Sequence, residues 1–201
     1  LIFIGCEQAP QDADTFLEAH ITENHIAGIS TARSDANGNL TFVSKGLADT
    51  ESETPFTENT LLNIGSVSKT FTATAVMQLW EKELIKLDAD VSDYLPELMI
   101  RNPAHPEAVI TIHQLLTHTS SINDSEAYDA SYACGDPAVS LKDWIYGYFT
   151  KDSTYYTSEN FHPYAPGDEW NYSNVGFGLL GCVVESVTGV SFNQFCNVNI
   201  F

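Results

Sequence analysis

Ser66 and Lys69 stand three residues apart in Gly65-Ser66-Val67-Ser68-Lys69. They open a stretch in which Phe71, Ala75, Val76, Leu79, Trp80 and Leu84 recur at helical spacing. Positions i and i+3 share one face of a helix, so the Lys69 amine can reach the Ser66 hydroxyl. A serine hydroxyl is almost never ionised near neutrality and attacks carbonyls poorly by itself. An amine kept unprotonated by burial and positive neighbours can take its proton. Gly65 permits a tight turn into the helix. Backbone N–H groups at the helix start are available to a developing oxyanion. The bland alternative is a capping serine followed by a solvated lysine. The chain has six lysines, and Lys69 alone has a serine three positions before it.

Tyr172-Ser173-Asn174 is the second constellation. It follows the turn signal Pro166-Gly167-Asp168 and precedes an apolar stripe of Val175, Leu179, Leu180, Val183, Val184 and Val187. Gly189 is placed to end that helix. A tyrosine and an asparagine at i and i+2 on an extended lead-in can point into one cleft. A phenol can hold or relay a proton there. An amide can donate to a substrate carbonyl and accept from a lysine. The alternative is a buried aromatic followed by an N-cap asparagine.

These residues need elements to carry them. Leu61-Leu62-Asn63-Ile64-Gly65 reads as a short buried strand that delivers Ser66 to its helix. Ile26–Ala32 and Leu40–Leu47 read as strands joined by a turn around Asn37-Gly38. Thr111-x-x-Gln114 predicts a capped short helix holding Leu115 and Leu116, and Ser191-x-x-Gln194 predicts another helix start. Residues 120–165 are rich in Tyr, Asp and Ser, with Trp144, Tyr146, Tyr148 and Phe149 clustered. They read as a wall of the cleft or as an insertion with its own small core.

Taken in order, Gly65-Ser66-Val67-Ser68-Lys69, Leu115-Leu116-Thr117-His118-Thr119-Ser120 and Pro166-Gly167…Tyr172-Ser173-Asn174-Val175-Gly176-Phe177 resemble the serine hydrolases related to class C β-lactamases. The resemblance runs from about Ile26 onward and covers β-lactamases, esterases and D-amino-acid peptidases. It implies an α/β (α+β) fold of the β-lactamase/transpeptidase type, a mixed sheet with a helical region and the site between them. It implies Ser66 as the acylated nucleophile, Lys69 as its base, Tyr172 as proton relay and Asn174 as substrate and lysine contact. The chain departs from the family in two places. The third motif, a Lys/His-Thr/Ser-Gly strand, is absent, and with it the C-terminal strands. The family's His-Thr-Ser-Gly reads His118-Thr119-Ser120-Ser121, with a serine where glycine stands. The implied activity is hydrolysis of an ester, β-lactam or D-amino-acid peptide bond through an acyl-serine, with no cofactor. The alternative is a noncatalytic member that binds peptidoglycan fragments or a partner protein.

The 201 residues carry 27 acidic and 8 basic side chains, a net charge of -19. Such a chain is a poor partner for nucleic acid and for anionic membrane surfaces. The acids are dispersed, which reads as a solvated surface or one suited to saline surroundings. Leu1-Ile2-Phe3-Ile4-Gly5-Cys6 reads as the end of a secretion signal, with Cys6 as a lipidation site, or as an ordinary apolar strand with a free thiol. The first reading divides the chain into residues 1–20, a signal remnant and lipoprotein tether, and 21–201, the N-terminal part of a hydrolase domain. It places the protein outside the cytoplasm, with membrane contact only through the lipid. The substrate is then a small molecule or a peptidoglycan-type one. Cys134, Cys182 and Cys196 have no metal or redox spacing, and no His-Glu-x-x-His is present, so no metal is expected. His118 reads as a satisfied structural histidine near the cleft.

Overall fold

The computed structural model describes residues 12–201, which divide into two compact units at Asn63/Ile64. Cys6 lies outside the described residues. In the first unit, Asp12 caps α1 (Ala13–Asn24) by accepting from the Thr15 N–H at 2.7 Å. Residues 13–20, expected in the tether, are therefore helical: Leu17 is buried and Asp14 pairs with Lys45 at 2.7 Å. The polar composition that suggested a tether is that of a helix burying one narrow face.

β1 (Gly28–Ser34) and β2 (Leu40–Asp49) form the expected hairpin, antiparallel in the register Gly28↔Gly46 to Ser34↔Leu40. Asp35 builds its turn, accepting from the N–H groups of Asn37 and Asn39 at 2.8 and 2.9 Å. β3 (Thr54–Pro55) extends the sheet on β2. The described sheet is thus small and antiparallel, β1-β2-β3, rather than mixed. At Gly46, within β2, φ is +81°, and a Cβ there would meet the Ala27 carbonyl at 2.3 Å, so this position requires glycine.

The strand expected over Leu61–Gly65 does not form. Leu61 is 95% and Leu62 64% exposed, and no strand pairs with them among the described residues. So short a segment, apolar but for Asn63, has no period of its own, and a strand needs a hydrogen-bonded neighbour.

The second unit is helical. α2 (Ser68–Glu81) follows a 3-10 turn, Gly65–Val67. α3 (Ile112–Leu116) has the capping box read from Thr111 and Gln114, with both halves present. α4 (Glu126–Asp129) and α5 (Leu141–Phe149) precede α6 (Asn174–Thr188), and α7 (Phe192–Asn199) follows. α6 is apolar almost all round and is the buried axis: Val175, Leu179, Leu180, Val183 and Val184 are at most 1% exposed. α2, α3, α5 and α7 pack around it. α2 contributes Ala75, Val76 and Leu79 to this core, whereas Trp80 and Leu84 of its expected stripe stay exposed. Gly189, at φ +72°, ends α6.

The aromatic stretch is not a separate insertion core. Ile145, Tyr148 and Phe149 of α5 join the same cluster as α6, and Trp144 stacks between Tyr148 and Tyr155 at 5.0 and 5.7 Å. Asn160, fully buried, donates to the carbonyls of Tyr148 and Tyr155 at 2.8 and 2.9 Å.

Candidate active site

Ser66 is reached through Gly65, whose φ of +52° turns the chain into the 3-10 turn. The neighbouring N–H groups expected to be free are engaged: that of Val67 donates to Ile64 at 3.1 Å, and that of Ser68 to the Gly65 and Ser66 carbonyls. One turn on, the Lys69 Nζ lies 3.5 Å from the Ser66 Oγ, the i, i+3 approach read from the spacing. That is the outer limit of a hydrogen bond, and catalytic contacts are commonly long before substrate arrives.

Tyr172 arrives from the chain that leads into α6. Its hydroxyl is 2.6 Å from the Ser66 Oγ, closer than the lysine. Lys69 also donates to the Asn174 Oδ1 at 2.5 Å and sits 4.7 Å from the centre of the Tyr172 ring. The four residues singled out in the sequence therefore meet at one place, although Ser66 and Tyr172 are 106 positions apart. Partial burial pushes the Tyr172 phenol up, but hydrogen bonds from Lys69 and Ser66 and the lysine charge outweigh it. Its pKa lies below the ordinary tyrosine value.

Two further residues, both on the loop after α3, hold this group together. His118 clamps the chain on either side of Tyr172. Its carbonyl accepts from the Asn171 N–H at 2.8 Å, and its Nδ1 from the Ser173 N–H at 3.1 Å. The second bond requires an unprotonated Nδ1, which makes the ring neutral with its hydrogen on Nε2. The imidazole packs on Tyr172 and Phe177 with ring centres 4.5 and 5.0 Å apart. Burial, and then the Lys69 charge, hold its pKa below 6.5 against the opposing pull of Asp124. Asp124 accepts from Ser173 Oγ, Asn174 N, Asn174 Nδ2 and Val175 N at 2.7 to 3.0 Å. Nothing in the spacing of residues marks Asp124, a lone acid in a polar loop.

Ser121 explains the altered His-Thr-Ser-Gly stretch. It has φ +60°, the conformation glycine adopts freely and other residues reach at a cost of about 1–2 kcal/mol. Its buried Oγ accepts from Asn102 Nδ2 at 3.0 Å, which offsets part of that cost.

Cys134, Cys182 and Cys196 are free thiols, and burial pushes Cys182 up to about 12. Among the described residues, no three His, Cys, Asp or Glu side chains are grouped to hold a metal ion.

Comparison with known proteins bears on this arrangement. Residues 13–201 match the protein family described as Beta-lactamase. Esterase EstB of Burkholderia gladioli is 34% identical over 145 residues, which are 72% of this chain and 37% of that protein. A beta-lactamase of Pseudomonas fluorescens is 32% identical over 185 residues, 92% of this chain and 46% of that one. Among solved structures, the octameric penicillin-binding protein homologue of Pyrococcus abyssi superposes with a TM-score of 0.69 at 29% identity. It covers 92% of this chain and 41% of that one. A class C beta-lactamase gives 0.66 at 28%, covering 93% and 46%. The chain thus spans less than half the length of each of these relatives. The match along almost all of the described residues makes this chain a member of the beta-lactamase family.

Proposed function

We propose that this chain carries the nucleophile and proton-transfer groups of a serine hydrolase that works through an acyl-serine on Ser66. The observation that carries the reading is the contact of Ser66 Oγ with Tyr172 OH at 2.6 Å, with Lys69 joined to both Ser66 and Asn174. Tyr172 acts as the phenolate, whose charge is held by the hydrogen bond and charge of Lys69; it takes the Ser66 proton and becomes the neutral phenol as Oγ attacks the carbonyl carbon. Lys69 also holds Tyr172 and Ser66 in register. The tetrahedral intermediate collapses to an ester on Ser66, and the departing alkoxide or amine takes its proton from Tyr172. Water then repeats the sequence on the acyl-enzyme, with Tyr172 as its base, and frees Ser66. Asn174 holds Lys69 through its Oδ1.

The relatives named esterase and beta-lactamase support an ester or amide carbonyl, a strained lactam included, as the substrate class. The test is a turnover screen of the full-length gene product with p-nitrophenyl acetate, a chromogenic cephalosporin and a D-alanyl peptide. Ser66→Ala is expected to fall to the buffer rate. Lys69→Met, which keeps length and helix propensity, is expected to lose about 10²–10⁴ in kcat without unfolding. Turnover unchanged in Ser66→Ala would refute the assignment.

A further inference from the structure

The Asp124 carboxylate is filled by α6. A carboxylate has about four lone-pair sites, and Asp124 receives four hydrogen bonds. They come from Ser173 Oγ, the backbone N–H groups of Asn174 and Val175, and the Asn174 side-chain Nδ2 at 2.8 Å. The first three cap the helix. The fourth does something a cap does not require. The two ends of an asparagine amide are nearly equal in size, and only their partners decide which way the group lies. Asp124 accepts and cannot donate, so Nδ2 must face it. Oδ1 is thereby turned to Lys69, which donates to it at 2.5 Å. Reversing the amide would set oxygen against carboxylate and Nδ2 against the lysine Nζ.

The loop that carries Asp124 is itself fixed on both sides by the aromatic core. The Tyr148 hydroxyl donates to the Asn123 carbonyl at 2.8 Å and accepts from the Ser125 N–H at 3.0 Å. Asn160 accepts from the Asn123 N–H at 3.0 Å through its carbonyl and from Ser125 Oγ at 2.5 Å through Oδ1. Both anchors are fully buried. A continuous set of hydrogen bonds therefore runs from the α5 core through Asp124 and Asn174 to Lys69 and Ser66.

We infer that Asp124 is the positioning residue of this site: it fixes the Asn174 amide so that its oxygen holds the Lys69 Nζ beside Ser66. The inference rests on the serine-hydrolase reading of that site. Asp124 touches neither Ser66 nor a substrate in this reading. Its effect on the reaction passes entirely through Asn174, which separates it from a residue that only stabilises α6.

The test is a double-mutant cycle on the full-length gene product, with p-nitrophenyl acetate as substrate and kcat, KM and melting temperature measured together. Asp124→Asn is expected to lower kcat by about 10²-fold, the size of loss that misplacing a reacting group by an ångström can bring. KM is expected to stay within a few-fold. Asn174→Ala is expected to lose a similar factor. The double variant is expected to be no slower than the slower single variant, because the second change removes an effect already lost. Asp124→Glu provides a second cycle in a variant that keeps the charge and the helix cap while shifting the carboxylate by one methylene. Its loss too is expected to vanish in the Asn174→Ala background. Ser173→Ala removes part of the α6 cap and leaves the Asn174–Asp124 contact, so it is expected to lower the melting temperature with little change in kcat. Multiplied losses in the double variants would overturn the inference. So would wild-type kcat in Asp124→Asn, or a kcat loss in Ser173→Ala equal to that in Asp124→Asn. If the unmutated protein shows no Ser66-dependent turnover, the hydrolase reading fails and this inference with it. Turnover in the unmutated protein with additive losses in the cycles sinks this inference alone.

Discussion

Tyr172 and His118 act on one another through a single short piece of chain. The Ser173 N–H that follows Tyr172 donates to an imidazole nitrogen that must stay unprotonated, 4.5 Å from the phenol ring by centres. Because burial and Lys69 lower the His118 pKa in the folded protein, unfolded chains bind its proton more readily. Its contribution to stability is complete above the ordinary histidine value of 6.5 and is lost as pH falls toward the folded value. His118→Asn keeps an acceptor near the Nδ1 position, tolerates the φ of +59° there, and does not titrate. The unmutated protein is expected to lose more melting temperature than His118→Asn when pH drops from about 7.5 to about 5. Equal losses would show that His118 is not the group involved. At this scale the sequence spoke through spacing. Ser66 to Lys69 and Tyr172 to Asn174 are short separations with a geometric meaning on a helix or an extended lead. Asp124 has no such partner nearby; it meets Asn174 across 50 positions, a contact that only the folded loop creates.

The elements divide in the same physical way. The β1–β2 hairpin and the α6 stripe were legible, because a turn signal and a helical period are local properties. The buried strand expected over Leu61–Gly65 does not form; that expectation rests on composition without a period that could separate the alternatives. The aromatic region shows a third case: its side chains were seen as a cluster, but their membership of the α6 core depends on packing at long range. Asn160 is the key to that region, since its amide meets two carbonyls and its oxygen accepts from Ser125. Asn160→Ala removes the amide donor from the Tyr148 and Tyr155 carbonyls, while Ser125 Oγ keeps the Tyr148 hydroxyl at 2.9 Å, and is expected to cost about 3 kcal/mol in urea unfolding, given about 1–3 kcal/mol for each unsatisfied group. A loss under about 1 kcal/mol would mean that water replaces the amide and that Asn160 does not anchor the Asp124 loop.

The molecule as a whole is strongly anionic, at -19, while the described residues contain three Lys or Arg ion pairs: Lys45–Asp14, Arg101–Asp90 and Lys142–Glu97. Most of the acids therefore repel one another through solvent. Raising potassium chloride from about 0.1 M to about 1 M shortens the screening length from about 10 Å to about 3 Å, and the melting temperature is expected to rise. A flat or falling response would show that dispersed acids impose no net strain on the fold. The chemistry of Ser66 is open to one direct reading. The full-length gene product, treated with a fluorophosphonate and digested, is examined by mass spectrometry for the modified peptide. A single phosphonyl adduct on Ser66, absent in Ser66→Ala and slower to form in Lys69→Met, is the expected result. An adduct on another serine, or equal labelling of the Ser66→Ala protein, would contradict Ser66 as the nucleophile.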